Sequence, residues 1–231
     1  MEFHLTSNTF NENYAVNGGA LYLKENNVNN LDKTLIIENN IFNHNTAENF
    51  GGALYSKVTN LNIDNAKNNN ITNNIAGING GGLYTENKLF ENIFNKDVLY
   101  LKNNFVDTVN NDYSSNPSYI TFNTTSQKES DHYKFNIYSG DYLPLKFTLY
   151  DSYDKILDDI TKYYSSITLK VLLIDNTNNN NNMNNDYNSE YSNSNSTSLN
   201  LLGNIGSFIN GNVQLKKFFN DKSIYILKNY I

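Results

Sequence analysis

The chain contains no cysteine, no tryptophan and no arginine, and only two of its 231 residues are proline. Each absence closes a class of function. Without cysteine there are no disulfides, no thiol catalysis and no cysteine-type zinc site. That absence leaves the compartment open. Without arginine the bidentate contact to guanine is missing, and the 17 lysines form no basic stripe. With a net charge of −6, the chain is expected to bind no nucleic acid and no anionic membrane surface. No apolar run is long enough for a membrane-spanning helix, so no membrane insertion by this chain is expected. The start, Met1-Glu2-Phe3-His4-Leu5, lacks the basic and apolar regions of a signal peptide, so this chain shows no targeting signal.

What is abundant is asparagine, with 49 residues. Asn, Lys, Ile, Tyr and Phe are all encoded by AT-rich codons, so the excess alone carries little weight. Charged residues make up 17% and apolar ones 39%, with 18 Tyr and 13 Phe. That apolar share supports a core despite the polar bulk. The length suits one elongated domain or two smaller ones.

An internal repeat fills the first hundred residues. Phe10-x-x-Asn13-x-Ala15 leads to Gly18-Gly19-Ala20-Leu21-Tyr22. Phe42-x-x-Asn45-x-Ala47 leads to Gly51-Gly52-Ala53-Leu54-Tyr55. Ile71-x-x-Asn74-x-Ala76 leads to Gly80-Gly81-Gly82-Leu83-Tyr84. The tyrosines lie 33 and then 29 residues apart. A second element, Leu5-x-x-Asn8-x-Phe10, recurs as Ile37-x-x-Asn40-x-Phe42 and Leu89-x-x-Asn92-x-Phe94. Leu99-Tyr100-Leu101-Lys102 repeats Leu21-Tyr22-Leu23-Lys24 and marks a fourth, degenerate unit.

Glycine pairs, asparagine clusters and β-branched or aromatic residues disfavour helix and favour short strands. The expected strands are Ala20–Lys24, Thr34–Glu38, Ala53–Lys57, Asn60–Asp64, Gly82–Glu86 and Leu99–Lys102. Strand parity puts Leu21, Leu54 and Leu83 on one side and Tyr22, Tyr55 and Tyr84 on the other. The tyrosine side ends in a charge each time. Leu21, Leu54, Leu83 and Leu99 are therefore expected to point inward, and Tyr22, Tyr55, Tyr84 and Tyr100 outward. Asn13, Asn45 and Asn74 are expected to stack as an amide ladder. One unit cannot bury its apolar face alone, so three to four units must stack.

The Phe-x-x-Asn and Gly-Gly-Ala-aliphatic combination resembles the repeat of polymorphic outer-membrane proteins. It is also similar to the pectin-lyase-like group of right-handed β-helices. The resemblance covers roughly residues 5–102. It implies an all-β fold whose first part is a short right-handed parallel β-helix of three to four coils. It implies a surface adhesin or, in other members, a polysaccharide-active enzyme. The third unit departs with Ile71 for Phe and Gly82 for Ala.

After Val109 the pattern changes. Residues 1–109 are expected to form the repeats and 110–117 a polar linker. Residues 118–231 are expected to form an immunoglobulin-like β-sandwich with a disordered Asn/Ser-rich loop at 175–198. Its strands are expected at Tyr119–Asn123, Tyr133–Tyr138, Leu143–Tyr150, Ser166–Ile174, Asn212–Phe218 and Ile224–Leu227. The turn after Ser139-Gly140-Asp141, the strand that follows and Asp151-x-x-Asp154 resemble such modules of large surface proteins. Asp151–Ser166 alternatively reads as a short helix. The loop buries too little apolar surface to offset its ordering entropy.

No chemistry stands out. His4, His44 and His132 share no metal spacing. Asp151, Asp154, Asp158 and Asp159 lack a calcium-loop pattern and read as a solvated turn. Gly80-Gly81-Gly82 has no Lys-Ser/Thr after it and is no phosphate loop. Sequons at Asn70, Asn123 and Asn195 permit glycosylation but show no enrichment. No catalytic, metal or cofactor residue is expected, and no enzyme. The expected function is a non-catalytic scaffold or adhesive fragment of a larger extracellular or cell-surface repeat protein. Its partner would be a carbohydrate or a protein. A β-helix carbohydrate-active enzyme is one alternative. A truncated gene remnant without function is the other, because the first repeat starts within ten residues of Met1 with no cap before it.

Overall fold

The structure, a computed structural model, describes residues 2–24, 34–58, 68–86, 99–123, 128–129, 132–135, 145–170, 205–215 and 224–227. The expected strand Asn60–Asp64, the Leu89 element, the loop at 175–198 and the turn at Ser139 lie outside them. The described residues are nearly all strand and turn, so the fold is all-β. They divide into two compact units, residues 1–119 with 149–164, and residues 120–148 with 165–230.

The first unit is built from the repeat. Each repeat gives one strand to each of three parallel sheets. The first sheet runs Thr9–Asn11, Ile41–Asn43, Asn69–Thr72 and Leu99–Lys102. Its register places Phe10 on Phe42, Phe42 on Ile71 and Ile71 on Leu101. The second runs Tyr14–Asn17, Thr46–Phe50, Ile75–Ala76 and Phe105–Val106, and closes with the antiparallel Val109–Asn110. The third runs Leu21–Lys24, Leu54–Lys57, Leu83–Thr85 and Tyr113–Ser115. A further parallel pair joins Glu2–Thr6 to Thr34–Glu38.

Three corners separate the sheets, and each needs one left-handed residue. Glycine supplies it before the third sheet, where Gly18, Gly51 and Gly80 have φ of 61°, 65° and 66°. No Cβ obstructs that conformation in glycine. The following glycine is needed for a different reason. A Cβ on Gly52 would lie 2.0 Å from the Gly81 carbonyl oxygen of the next unit. At the other two corners the left-handed residue stands just before a ladder asparagine. These residues are Ser7, Asn39 and Asn68, then Glu12, His44, Asn73 and Asn103. Asparagine tolerates this conformation better than most residues.

The core fills the interior of this stack. Ile37, Leu54 and Leu83 form one buried cluster with Val58, and Phe42, Ala53 and Ile71 form another. Phe10 and Phe42 stack at 4.8 Å.

Two expectations change. Leu99–Lys102 repeats Leu21–Lys24 in sequence, yet it pairs with Asn69–Thr72 in the first sheet. Leu99 therefore does not continue the Leu21, Leu54, Leu83 ladder, whose next member is Tyr113. The segment 110–117, expected as a linker, carries the strand Tyr113–Ser115 of the third sheet. Leu101, not Leu99, packs against the core, since it falls in register with Ile71 and Phe42.

The second unit contains shorter sheets. Pro117–Asn123, Leu145–Asp151 and Asn212–Leu215 lie side by side in one. Leu145–Thr148 pairs antiparallel with Asn212–Leu215. Phe122 packs 4.9 Å from Phe147, and Phe208, Val213 and Leu215 are buried. A second sheet orders Lys128–Glu129, His132–Phe135 and Ile224–Leu227, all antiparallel. Thr168–Lys170 pairs with Ile205–Ser207. Residues 151–166, alternatively read as a helix, are turns followed by a 3-10 turn at Tyr163–Ser166.

Candidate functional site

Two features of the first unit carry polar chemistry: the asparagine ladders inside and the tyrosine column outside. The expected ladder is present, and it is longer than Asn13, Asn45 and Asn74. Asn13 Nδ2 donates to Asn45 Oδ1 at 2.8 Å, Asn45 to Asn74 at 3.0 Å and Asn74 to Asn104 at 2.8 Å. Asn104 Nδ2 donates at 2.8 Å to Asp112 Oδ1. Each Oδ1 also accepts the backbone N–H of the asparagine before it. The spare Nδ2 hydrogen of Asn45, Asn74 and Asn104 reaches a backbone carbonyl one unit back, at Phe10, Phe42 and Ile71. Each internal rung is thus fully paired, which burial demands. Asp112 ends the ladder because a carboxylate only accepts. A second, shorter ladder joins Asn8 to Asn40 and Asn40 to Asn69.

Asn104 escaped the sequence reading, although Leu101-x-x-Asn104-x-Val106 keeps the spacing with an aliphatic residue at each end. In the same way Asn69, not Asn92, is the described partner of Asn40.

The tyrosine column differs from expectation. Tyr22 is 45% exposed, but Tyr55 is only 5% and Tyr84 only 1% exposed. Strand parity does place the three on the outer side of the third sheet. There Tyr22 stacks on Tyr55 at 5.1 Å and Tyr55 on Tyr84 at 5.7 Å. Phe50 then covers the column, 4.5 Å from Tyr84, and Tyr163 meets Phe50 edge-on at 5.3 Å. The outer face is therefore a second small apolar layer. Tyr100 does face solvent, at 55%.

The phenols of the column are all partnered. Tyr55 donates to the Glu86 carboxylate, which also pairs with Lys57 Nζ at 2.6 Å. Tyr84 donates to Asn116 Oδ1 at 2.6 Å and meets the Tyr164 hydroxyl at 3.0 Å. Burial, and then the hydrogen bond to Glu86, pushes the Tyr55 phenol up. Burial, and then the charge and hydroxyl of Tyr164, does the same for Tyr84. Tyr164 is pushed to about 12, mainly by burial. No phenol here is poised to act as a nucleophile or base near neutral pH.

The aspartate cluster is not a solvated turn throughout. Asp151 is 1% exposed and Asp159 is also buried. Asp151 accepts from Ser115 N, Ser114 Oγ, Tyr153 N and Lys155 N at 2.9–3.3 Å. Lys155 Nζ donates to the Tyr113 carbonyl and lies 3.1 Å from its ring centroid. Segment 151–155 is thereby tied to the last strand of the third sheet. Burial raises the Asp151 carboxyl above its ordinary value, against the lowering effect of its backbone bonds and Lys155. Beside it lies a cavity of about 200 Å³, lined by Asn79, Asp112, Tyr113, Lys155 and Asp158 among others. That is smaller than pockets for drug-sized ligands.

The expected structural residues come together in the sheets and corners described: Phe10, Phe42 and Ile71 in the first sheet, and Leu21, Leu54 and Leu83 with Tyr22, Tyr55 and Tyr84 in the third. Gly18, Gly19, Gly51, Gly52, Gly80 and Gly81 form the third corner. Of the sequons, Asn70 lies inside a strand paired on both sides, and its Oδ1 is buried without a partner. Asn123 is exposed and donates to Thr148 Oγ1 at 2.7 Å. Asn195 lies outside the described residues. Among the described residues no group of three His, Asp or Glu side chains is placed to hold a metal. No described helix is long and apolar enough to cross a membrane.

Residues 41–57 match the model of the Chlamydia polymorphic membrane protein repeat. The matched stretch runs from Ile41 through Phe42, Asn45, Ala47 and the Gly51-Gly52-Ala53-Leu54-Tyr55 corner to Lys57. It thus covers one strand of each of the three sheets in a single unit of the stack. No curated protein and no solved structure matches the chain.

Proposed function

We propose that this chain is a non-catalytic scaffold or adhesive fragment of a larger cell-surface or secreted repeat protein. The observation that carries the reading is the repeat itself. Its second unit matches the polymorphic membrane protein repeat, and its conserved-spacing residues are used for corners, ladders and core. The asparagines, glycines and stacked rings that define the motif bond unit to unit. Such residues make a stiff rod, not a reaction centre.

In finer detail, residues 1–109 form a short right-handed parallel β-helix of the pectin-lyase-like kind. Three parallel sheets with in-register asparagines support that. An immunoglobulin-like sandwich follows, drawn from residues 120–148 and 165–230, and the antiparallel sheets there support it. The chain lies at the cell surface or outside the cell, and it meets a carbohydrate or a protein. Exposed Tyr14, Tyr22 and Tyr100 suit such contact, because a ring offers apolar area with a polar tip.

The test uses an antibody raised against residues 41–57 on intact cells that express the parent gene. Staining before permeabilisation supports surface display. Staining only after permeabilisation overturns it. The non-catalytic part is checked separately: purified chain incubated with pectin, alginate and chitin should release no reducing ends above buffer.

A further inference from the structure

The first repeat unit forms the free edge of three parallel sheets. Thr9–Asn11, Tyr14–Asn17 and Leu21–Lys24 each stand last in their sheet. The core behind that edge is only half covered. Phe10, Ala20 and Leu21 are partly buried, whereas Phe42, Ala53 and Leu54 one unit along are fully buried. The opposite end differs. There Asp112 terminates the asparagine ladder, Val109–Asn110 closes one sheet antiparallel, and segment 151–155 ties down another.

The ladders say what the open edge would accept. In every described rung an asparagine Oδ1 receives two donors from the unit before it, a backbone N–H and an Nδ2–H. Its own Nδ2 can then donate to a carbonyl three residues before that donor, as Asn40 does to Leu5 and Asn45 to Phe10. At Asn8 and Asn13 both asparagines are exposed, and no partner for either Oδ1 is found among the described residues. The two acceptors are five positions apart, as are Asn40 and Asn45, and Asn69 and Asn74.

We propose that this edge is a docking site for an extended polypeptide segment of another chain that carries Asn-x-x-x-x-Asn. The segment enters parallel, with an apolar residue two positions after its first asparagine to cover Phe10. Its two asparagines donate to Asn8 and Asn13, and its backbone adds a strand to the open sheets, a known mode of peptide capture. The polarity of the ladder disfavours a second copy docked edge to edge. A two-fold pair would run the strands antiparallel. The backbone N–H groups of Asn8 and Asn13 already donate to Asn40 and Asn45, so each Oδ1 would gain at most one donor in place of two.

The probe is a fluorescent synthetic peptide of this chain's own residues 37–57, titrated into the full chain and followed by anisotropy. Saturable one-to-one binding is expected. The same peptide with Asn40→Leu and Asn45→Leu should bind at least tenfold more weakly, and a scrambled peptide should not bind. Hydrogen exchange should slow at residues 8–24 on binding. Four results overturn the proposal: no binding, equal binding of the substituted or scrambled peptide, protection confined to residues 99–115, or a dimer of the chain alone that excludes the peptide. None depends on where the chain resides, so failure here leaves the surface reading standing.

Discussion

At the residue scale the asparagines divide by position. Those just before a ladder rung hold a left-handed backbone, and those in the rung hold the next unit. Glu12 does the first task with a poor residue for it, at φ 57°. Asn stands at the equivalent place in Asn73 and Asn103. Glu12→Asn should therefore stabilise the chain by about 0.5–1 kcal/mol, raising the melting temperature by a few degrees. A fall in melting temperature would contradict this account of the corners. Asp151 offers a pH test. Burial raises its folded carboxyl above the ordinary 3.8, so the folded state holds its proton more tightly than the unfolded one. Its contribution to stability must then fall as pH rises through the window above 3.8. Asp151→Asn removes that slope, and urea midpoints at pH 4.5 and 7 should differ less in the variant than in the parent. The ladder was legible at Asn13, Asn45 and Asn74 because the aromatic or aliphatic residue and the alanine frame them. Asn104 was not, because Leu101 and Val106 replace both frame residues.

At the scale of the element, parity along each strand was readable but burial was not. Alternation correctly separates Leu54 from Tyr55. It cannot show that Phe50 and Tyr163 cover the tyrosine side, because those contacts come from other strands and from a turn far along the chain. The identical words Leu21–Lys24 and Leu99–Lys102 fall in different sheets for a related reason. Register follows the corners and the buried face, not the local word. Leu99–Lys102 lies two residues before Asn104, which places it in the first sheet. The covered column predicts an alkaline transition. Tyr55, Tyr84 and Tyr164 hold their protons above the ordinary phenol value of 10.0 when folded. Stability should therefore decline as pH rises past about 10, and these phenols should ionise together with unfolding. Absorbance at 295 nm and circular dichroism, followed from pH 9 to 12.5, should show part of the phenolate signal rising with loss of strand signal. Complete ionisation in a folded chain would contradict the buried column. The glycine corner gives a sharper steric test. A methyl on Gly52 meets backbone, which cannot swing aside, so Gly52→Ala should cost several kcal/mol. Gly77→Ala is not a usable control, since Glu48 O lies 1.9 Å from its Cβ position. An exposed change such as Thr9→Ala is a suitable one.

At the scale of the whole molecule, the repeat made the all-β class and the stacked arrangement of the first hundred residues legible. The partner is not encoded in the same residues, because the motif is spent on contacts between units. The second half carries no repeat, and its strands were located by alternation alone. Leu145–Asp151 and Asn212–Leu215 were found that way, while the short Ile205–Ser207 was placed only loosely. Its glycine and serine give little pattern. Residues 149–164 group with the first unit, because Asp151 and Tyr164 are bonded to its last strands.

The central claim is that the units cohere through their buried asparagines. Asn74 is the rung to test. It is fully buried, donates to Phe42 O, Thr72 O and Asn104 Oδ1, and accepts from Asn45. Asn74→Leu leaves several of those groups buried without partners, at about 1–3 kcal/mol each. Urea unfolding of Asn74→Leu should show a loss of about 3–5 kcal/mol or no folded state at all. The exposed Asn11→Leu should stay within about 0.5 kcal/mol of the parent. An Asn74→Leu chain that unfolds at the parent's urea midpoint would contradict the account.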